Sequence, residues 1–566
     1  MKNHSFYDNT EPKLASCAAI MMALALAMAS IPATAKDGGD GGGGGISSLQ
    51  NVPTPKPANL GEYVLNEAAA IQLGKALFWD MQAGGDGQQA CASCHFSAGI
   101  NSRTKNTLNP HGSTNSVVNA DVTADMFPFK SSLVFGSAGV ISATFTGLSS
   151  ITDPIFPSDL SQPLIDPVYR LNGHNLRQVT GRKAPSVINA VFNFRNFWDG
   201  RAQNNFNGVN PFGATAAAGN AKVLKMDMRG VPALVSINLA NSSIASQAVG
   251  PANSSVEMSF GQRRWENLGR KMLNPKLTPL GQQTVATNDS VLGHFSNGAG
   301  NGLSTKYADM VRAAFKPTWW SSSQCVDVNK AAISCTDPAS YSVMESNFSL
   351  FWGIAIQMYE STLIANQTPF DNNKLTSQQT NGKRVFTNEG RCVHCHSGAE
   401  LTKASVSEAT GSASSDSTTG FFHIGVRPVS EDEGLVDGKF KVPHLRNVEL
   451  TGPYFHNGGT ATLRQVVDFY DRGGNFPSKF TDSQIRPLGL SNLQKTDLVA
   501  FLLALTDPRV KNESAPFDHP SLRINNGHNA DGSDIVVKWP AVGAGGRSTE
   551  GKPLLTPFLN LDPFKQ

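Results

Sequence analysis

Two cysteine pairs, each followed directly by a histidine, constrain this chain more than any other feature of its sequence. The motifs occupy residues 91–95 (CASCH) and 392–396 (CVHCH), and both have the spacing C-x-x-C-H. This spacing suits covalent attachment of a c-type haem, because two thiols reach the vinyl groups and the adjacent histidine reaches the iron. A zinc site is the alternative, but the sequence holds no further C-x-x-C pair to complete one. The predicted haem-binding residues are Cys91, Cys94, His95, Cys392, Cys395 and His396.

The sequence around the two motifs is repeated. GKALF at residues 74–78 precedes the first motif, and GKRVF at residues 382–386 precedes the second. Each predicts an amphipathic helix that carries its phenylalanine on the apolar face and leads into the haem loop. Downstream, residues 184–200 align with residues 442–458 without a gap when Pro185 is set on Pro443. The four identities and one Asp/Asn match of this alignment indicate two related haem domains in tandem.

The two copies differ in length. The first spans 103 residues from His95 to Trp198, whereas the second spans 60 residues from His396 to His456. The first domain therefore carries insertions, at residues 108–166 and in the Gly/Ala/Asn-rich stretch after Arg201. We expect both insertions to be surface loops.

The N-terminus has the pattern of an export signal. Lys2 and Lys13 precede an apolar stretch at residues 14–31, and AxA at residues 33–35 offers a cleavage site. An uncleaved membrane anchor is the alternative, because the stretch is nearly long enough to span a bilayer. We expect a periplasmic or otherwise exported protein without a membrane span after cleavage. In an oxidising compartment Cys325 and Cys335 can form a disulfide, and two reduced thiols are the alternative.

The overall charge indicates which class of partner molecule the chain can bind. The chain of 566 residues has 47 basic and 44 acidic residues, and a formal net charge of +3. This near-balance argues against a nucleic-acid-binding protein, which would concentrate basic residues on one face. It is compatible with docking of a small charged redox protein.

With these motifs the chain resembles the bacterial di-haem cytochrome c peroxidase and MauG family. The resemblance is carried by the two C-x-x-C-H motifs, by FWDGR at residues 197–201, and by LRN, PYFHNGG and TL within residues 445–463. It implies a mainly α fold of two tandem cytochrome-c-like domains, each with one covalent c-type haem, and long loop insertions. In this family peroxide is split at one haem while the other stores or relays an electron.

This resemblance sets the expected domain organisation. A signal peptide at residues 1–35 and a flexible linker at residues 36–60 precede an N-terminal peroxidatic haem domain at residues 61–370, which carries the insertions. A C-terminal haem domain at residues 371–510 and an extended C-terminal tail at residues 511–566 follow. The implied cofactors are two covalently bound haem c groups.

The resemblance also implies functional residues beside the first haem. Trp198 matches the tryptophan that lies between the two haems, although a packed core tryptophan is the alternative. Gln247, Pro251 and Glu257 match the spacing of residues that line the distal side of the peroxide haem. A glutamate in a partly dry pocket can take a proton from peroxide and deliver it to the leaving oxygen. A solvated surface carboxylate is the alternative for Glu257.

Two features depart from the family pattern. Family members bind calcium with an asparagine just before the repeat at residue 184, but this chain has Lys183 there. Calcium is therefore doubtful, because an ammonium group cannot bind a metal ion. The distal ligand of the first haem also stays open, since His111 lies in a loop that matches poorly.

The stretch ATLRQVVDFYDRGG at residues 461–474 contains the remaining candidate ligand, Tyr470. Thr462 and Gln465 form a capping-box pattern that predicts a helix start. The helix then carries an inward stripe that ends at Tyr470, which by itself predicts only a buried tyrosine with a hydrogen-bonded hydroxyl. The residues of this stripe are Leu463, Val466, Val467 and Tyr470.

The family resemblance turns this burial into a ligand hypothesis. The position 14 residues after His456 is a methionine in electron-donating peroxidases and a tyrosine in MauG-like members, and here it is Tyr470. No methionine follows His396 in the sequence. We therefore predict that Tyr470 is an iron ligand of the second haem, which favours ferric and higher oxidation states.

Together these features favour a periplasmic di-haem peroxidase that reduces hydrogen peroxide at the N-terminal haem. The C-terminal haem and Trp198 would share or relay oxidising equivalents, and the reductant would be a small redox protein or an organic substrate. The alternatives are a MauG-like oxidase of a partner protein, a di-haem oxygenase of an organic substrate, and a non-enzymatic electron carrier. The pattern around Glu257 argues against a carrier, which has no use for a distal acid–base group.

Overall fold

The computed structural model describes residues 45–112, 117–150, 158–411 and 418–566. The predicted signal peptide and the first part of the linker, residues 36–44, lie outside the described residues. The α-helices of the described chain are α1 (Glu67–Trp79), α2 (Ser243–Ala248), α3 (Trp265–Met272), α4 (Tyr307–Ala314), α5 (Val343–Ser346), α6 (Phe348–Glu360), α7 (Ser377–Thr387), α8 (Val406–Gly411), α9 (Leu463–Asp471), α10 (Asn492–Leu503) and α11 (Pro508–Lys511).

The strands are short and all pair in antiparallel fashion. They are β1 (Leu108–Asn109), β2 (Val134–Phe135), β3 (Ala138–Ile141), β4 (Ala143–Leu148), β5 (Asp159–Pro163), β6 (Arg170–Leu171), β7 (His174–Asn175), β8 (Arg177–Val179), β9 (Val223–Met226), β10 (Pro232–Val235), β11 (Cys325–Val326), β12 (Ala332–Ile333), β13 (Tyr341–Ser342), β14 (Phe421–Phe422), β15 (Phe440–Lys441), β16 (Leu522–His528) and β17 (Asp534–Trp539). The sheets are β1–β2, β3–β8, β4–β5, β6–β7, β9–β10, β12–β11–β13, β14–β15 and β16–β17.

The strands differ from the expected mainly α fold, in which the insertions would be loops. The first insertion, residues 108–166, contains β1 to β5, and its strands β2 and β3 are largely buried. The prediction of a surface loop is wrong for β3, because this strand packs closely on the chain near residue 257. A Cβ added at Gly139 would lie only 1.9 Å from the Val256 carbonyl oxygen.

The same helix crossing occurs before each C-x-x-C-H motif. Helix α1 packs on α6 and helix α7 packs on α10. A Cβ added at Gly74 would lie 1.9 Å from the Ala355 carbonyl oxygen, and one added at Gly382 would lie 1.9 Å from the Asp497 carbonyl oxygen. Both crossings therefore require glycine, since any side chain would push the helices apart. Phe78 and Phe386 are buried as predicted.

The downstream repeat is present in the backbone conformation as well as in the amino-acid sequence. Asn189 and Asn447 have φ of 60° and 63°, and Phe197 and Phe455 have φ of 61° and 70°. Positive φ is uncommon outside glycine, so its recurrence at aligned positions indicates one local fold used twice. The two asparagines also bind equivalent segments. The Asn189 side chain pairs with the backbone of Ala365, after α6, and the Asn447 side chain accepts from the Asp507 N–H, after α10.

Two apolar clusters form the main cores. The larger cluster draws on α1, α2, α3, α4 and α6, and the second on α7, α9, α10 and nearby residues between Phe370 and Leu505. Cys325 and Cys335 form a disulfide within the β11–β12 region. Among the described residues no helix has both the length and the apolar character to cross a membrane.

The C-terminal segment, predicted as an extended tail, folds back onto the first half of the chain. Strands β16 and β17 form a hairpin, and the His519 ring stacks on Trp79 of α1 with 4.8 Å between centroids. Lys75 of α1 is fully buried and forms ion pairs of 2.8 Å with Asp289 and 3.2 Å with Asp518. These buried contacts hold the segment in place. They could not be predicted from its polar composition.

Candidate haem cavities

A cavity of about 770 Å³ lies beside the first C-x-x-C-H motif. It brings together residues that are more than 160 positions apart in the sequence, as the proposed peroxide site requires. We call it the first cavity. Its predicted site residues are Cys91, Cys94, His95, Trp198, Gln247, Pro251 and Glu257. His111, which the sequence leaves open as a distal ligand, also lines this cavity.

A second cavity, of about 220 Å³, lies beside the second motif. Aromatic and aliphatic side chains from α9, β14 and β15 and the segment between β15 and α9 form part of its wall. Its predicted site residues are Cys392, Cys395, His396, Tyr470 and Trp198. Every site residue predicted from the sequence therefore lines at least one of the two cavities, and Trp198 lines both.

The histidines of both motifs have the orientation that an iron ligand needs. The Nδ1 atom of His95 lies 3.2 Å from the Gly99 carbonyl oxygen, and that of His396 lies 3.1 Å from the Leu401 carbonyl oxygen. Because a carbonyl only accepts, Nδ1 carries the proton and Nε2 keeps its lone pair. Burial lowers the pKa of His396 to about 4 and also lowers the pKa of His95, so both imidazoles are neutral. These donors, with the two cysteines beside each, fit a covalently bound haem.

Glu257 is the predicted acid–base group of the first cavity. It is half-buried, and its backbone N–H donates to the Ser254 hydroxyl at 3.3 Å. Burial raises the pKa of the Glu257 carboxyl, while a hydrogen bond from Ser254 and the charge of Arg201 act in the opposite direction. The carboxyl therefore exchanges its proton closer to neutral pH than an ordinary glutamate does.

Sequence reasoning missed a second carboxyl in the same cavity. Glu360 ends α6, is only 5% exposed, and has a buried Oε2 atom without a hydrogen-bond partner among the described residues. Burial raises the pKa of the Glu360 carboxyl well above the usual range, which favours its protonated form. The available signal was a single acidic residue at the end of an apolar helix, FSLFWGIAIQMYE.

Trp198 lies in the walls of both cavities. Its indole N–H donates to the Lys183 carbonyl at 2.8 Å, and its own carbonyl accepts from the Lys441 N–H at 2.8 Å. The His456 ring lies edge-on, with 6.5 Å between centroids. Two backbone hydrogen bonds thus fix the indole ring where the cavities meet.

Tyr470 lies on α9, and its surroundings differ from those of an ordinary core tyrosine. The predicted capping box of Thr462 and Gln465 begins this helix. No described residue forms a hydrogen bond with the Tyr470 hydroxyl, although the ring lines the second cavity. Burial, with the nearby Cys395 and Cys392, raises the pKa of Tyr470 far above that of a free phenol. A phenolate at this position would need a cation beside it.

Comparison with known proteins gives one family. The family described as di-haem cytochrome c peroxidase matches residues 68–380, which is more than half of the chain. Cytochrome-c peroxidase IdrP2 of Denitromonas iodatirespirans is 35% identical over 176 residues, which cover 26% of this chain and 46% of that protein. The MauG protein of Methylorubrum extorquens is 31% identical over 157 residues, covering 27% of this chain and 42% of that protein.

Longer but weaker matches cover more of the chain. Cytochrome c551 peroxidase of Pseudomonas aeruginosa is 26% identical over 344 residues, covering 58% of this chain and 66% of that protein. The chain spans about half the length of the first curated relatives that it matches. A solved MauG-like protein associated with microbial copper homeostasis is 18% identical, with a TM-score of 0.44 over 83% of this chain and 97% of that one.

Proposed function

Because the chain belongs to the di-haem cytochrome c peroxidase family, we propose that it is a periplasmic peroxidase that reduces hydrogen peroxide in the first cavity. The single observation that carries the proposal is the meeting of Glu257, Gln247 and Pro251 with the first haem motif in one cavity. The haem iron, when bound through His95, supplies the redox chemistry that breaks the O–O bond.

The residues of the chain supply the proton transfer. The Glu257 carboxylate takes a proton from one peroxide oxygen and returns it to the other oxygen, which leaves as water. Its raised pKa suits both steps, because the group must accept and then release the same proton near neutral pH. Glu360 adds a second carboxyl with a raised pKa to the same cavity.

Trp198 provides a route between the two sites. The indole touches both cavities, and it is the aromatic side chain best placed to pass an oxidising equivalent from one haem to the other. The second haem, bound through His396 and Tyr470, would share that equivalent. The predicted export and the Cys325–Cys335 disulfide support a periplasmic location.

The test is peroxide turnover by the Glu257→Gln holoprotein. We expect both haems to be retained and kcat/KM for peroxide to fall by at least 100-fold, the usual scale of acid–base catalysis. In the wild type, activity should be lost as pH falls through the raised pKa of Glu257, because the carboxyl is then protonated and cannot act as base. Near-normal turnover by the variant would remove Glu257 from the mechanism.

A MauG-like oxidase of a partner protein is the second candidate. It is favoured by Tyr470 and by the lack of any methionine among the described residues that line the second cavity. Stopped-flow spectroscopy with peroxide, with and without reduced cytochrome c, separates the two. Rapid cytochrome oxidation supports the peroxidase, a long-lived oxidised state without cytochrome turnover supports the oxidase, and a stable oxygen adduct without peroxide reaction supports an oxygenase.

A further inference from the structure

Two buried lysines occupy the same place in the two repeats. Lys183 stands two residues before Pro185 and Lys441 stands two residues before Pro443, the two prolines that align. Lys183 is 4% exposed and Lys441 is 5% exposed. The repeat has therefore kept a buried amine at both copies of one position.

The two lysines flank the contact between the cavities. Lys183 lines both cavities and Lys441 lines the second. Their backbones hold Trp198 from two sides, through the Lys183 carbonyl and the Lys441 N–H. Both side chains thus belong to the junction of the two haem cavities.

Neither ammonium group has a carboxylate partner among the described residues. The Lys183 Nζ atom has one weak contact, 3.4 Å to the Ala184 carbonyl oxygen. Asp199 and Asp432, two of the acidic residues that line the first cavity, are held by Arg182 at 2.6 Å and 2.7 Å. Burial alone lowers the pKa of Lys183 to about 7 and that of Lys441 to about 8.

Other buried lysines of the chain show the contrast. Lys75 forms ion pairs with Asp289 and Asp518, and Lys271 forms one of 3.0 Å with Asp159. A buried charge without a partner costs several kcal/mol, so buried charges in proteins are normally paired. A partner that keeps Lys183 and Lys441 charged can come from what fills the cavities.

We propose that Lys183 and Lys441 form a carboxylate-binding pair at the junction of the two haem cavities. The carboxylates come either from the propionate side chains of the bound haems or from an organic anion taken from solution. The pair places two positive charges beside Trp198, between the two redox sites. This charge raises the reduction potentials there by stabilising the electron-rich state.

The test uses the holoprotein with both lysines changed to methionine, Lys183→Met/Lys441→Met, and the exposed Lys374→Met as the matched control. We expect the ferrous-to-ferric ratio of at least one haem at a fixed potential to fall at least tenfold, a shift of about 59 mV. Redox-difference infrared spectra should gain the C=O band of a carboxylic acid, because a carboxylate without its cation takes up a proton on reduction.

The source of the carboxylate is read from the wild type. If dialysis and acetate addition leave its potentials and infrared spectrum unchanged, the haem propionates are the partners. If both respond to acetate, the partner is an anion from solution.

The variant Lys183→Arg/Lys441→Arg keeps both positive charges. It must therefore keep the wild-type potentials and infrared spectrum, even if the methionine variant folds poorly. The proposal is overturned if the double methionine variant has the same potentials and spectra as Lys374→Met. It is also overturned if the double arginine variant loses the wild-type values.

Discussion

Two tyrosines on the wall of the second cavity differ in the hydrogen bonding of their hydroxyl groups. The Tyr454 hydroxyl donates to the Val448 carbonyl at 3.0 Å, whereas no described residue binds the hydroxyl of Tyr470. Tyr470 is half-buried and lines the cavity, so its unpaired hydroxyl is accessible to a group bound there. This contrast supports Tyr470, and not Tyr454, as the ligand.

The first prediction concerns these two residues. Tyr470→Phe should remove the sixth ligand of the second haem and convert its spectrum from low-spin to five-coordinate or water-bound. Electronic absorption and electron paramagnetic resonance spectra of the holoprotein measure this change. Tyr454→Phe is the control and should keep the wild-type spectrum. A low-spin spectrum that survives in Tyr470→Phe would rule out the assignment.

At the level of single residues, motif spacing predicted which side chains line the cavities. The chain positions of Glu257 and Tyr470 relative to other motif residues were enough to predict their place on the cavity walls, because local segments keep their geometry. Glu360 and Lys441 were missed for a physical reason. Glu360 is a single acidic residue at the end of an apolar helix, and Lys441 lies among other charged residues. Only the three-dimensional packing of distant segments buries each of them without an ion-pair partner among the described residues.

Among the helices, the two glycine-mediated crossings set how closely the haem loops approach their supporting helix. At both crossings the nearest atom to a new Cβ is a backbone oxygen, which cannot rotate away. The haem motif follows each of these helices directly in the chain, at residues 91–95 after α1 and at residues 392–396 after α7. A shift of the helix must therefore reach the haem.

The second prediction follows from this geometry. Gly382→Ala should lower the free energy of unfolding by about 3 kcal/mol, the upper range of the cost of overpacking. Urea unfolding followed at the Soret band measures it. Gly61→Ala is the control, because a Cβ there meets no atom within 4 Å. Equal stability of the two variants would mean that α7 and α10 can separate without cost.

The helices were more predictable than the strands. The phenylalanine of GKALF and GKRVF and the capping box at Thr462 predicted α1, α7 and α9, because helical periodicity and capping are local signals. The hairpins of the first insertion were not predicted. Their strands are two to six residues long and pair across loops, so the alternation of apolar residues is too short to recognise.

For the whole molecule, the C-terminal segment links the end of the chain to the first haem half. Lys75 is the centre of this link, because its ammonium group pairs with both Asp289 and Asp518, which come from distant segments. The Ser290 N–H and hydroxyl also donate to the Asp518 carboxylate. The equivalent residue of the second repeat, Lys383, forms no ion pair with any described residue and lies 5.3 Å from the centroid of the Phe370 ring. Lys383 therefore serves as an internal control for the effect of the ion pairs of Lys75.

The third prediction uses that comparison. Lys75→Met leaves two buried carboxylates without their cation and should cost about 3–5 kcal/mol, as the loss of one partner of a buried ion pair does. Thermal unfolding of the holoprotein, with proteolysis of the C-terminal hairpin as a second readout, measures the effect. Lys383→Met should change stability by less than 1 kcal/mol. Similar melting curves for the two variants would show that the buried triad does not hold the segment.

The C-terminal hairpin also links attachment of the first haem to the folding of a segment more than 400 residues away in the chain. Strand β16 packs against the turn Cys91–Ser93, and Arg103 bridges the two by donating to the Asn525 carbonyl at 3.1 Å and contacting the Cys94 sulfur at 3.8 Å. Cys91 and Cys94 still line the first cavity beside this docked strand. Attachment of the first haem and docking of the hairpin therefore share one turn of the chain, and we expect each to favour the other during biogenesis.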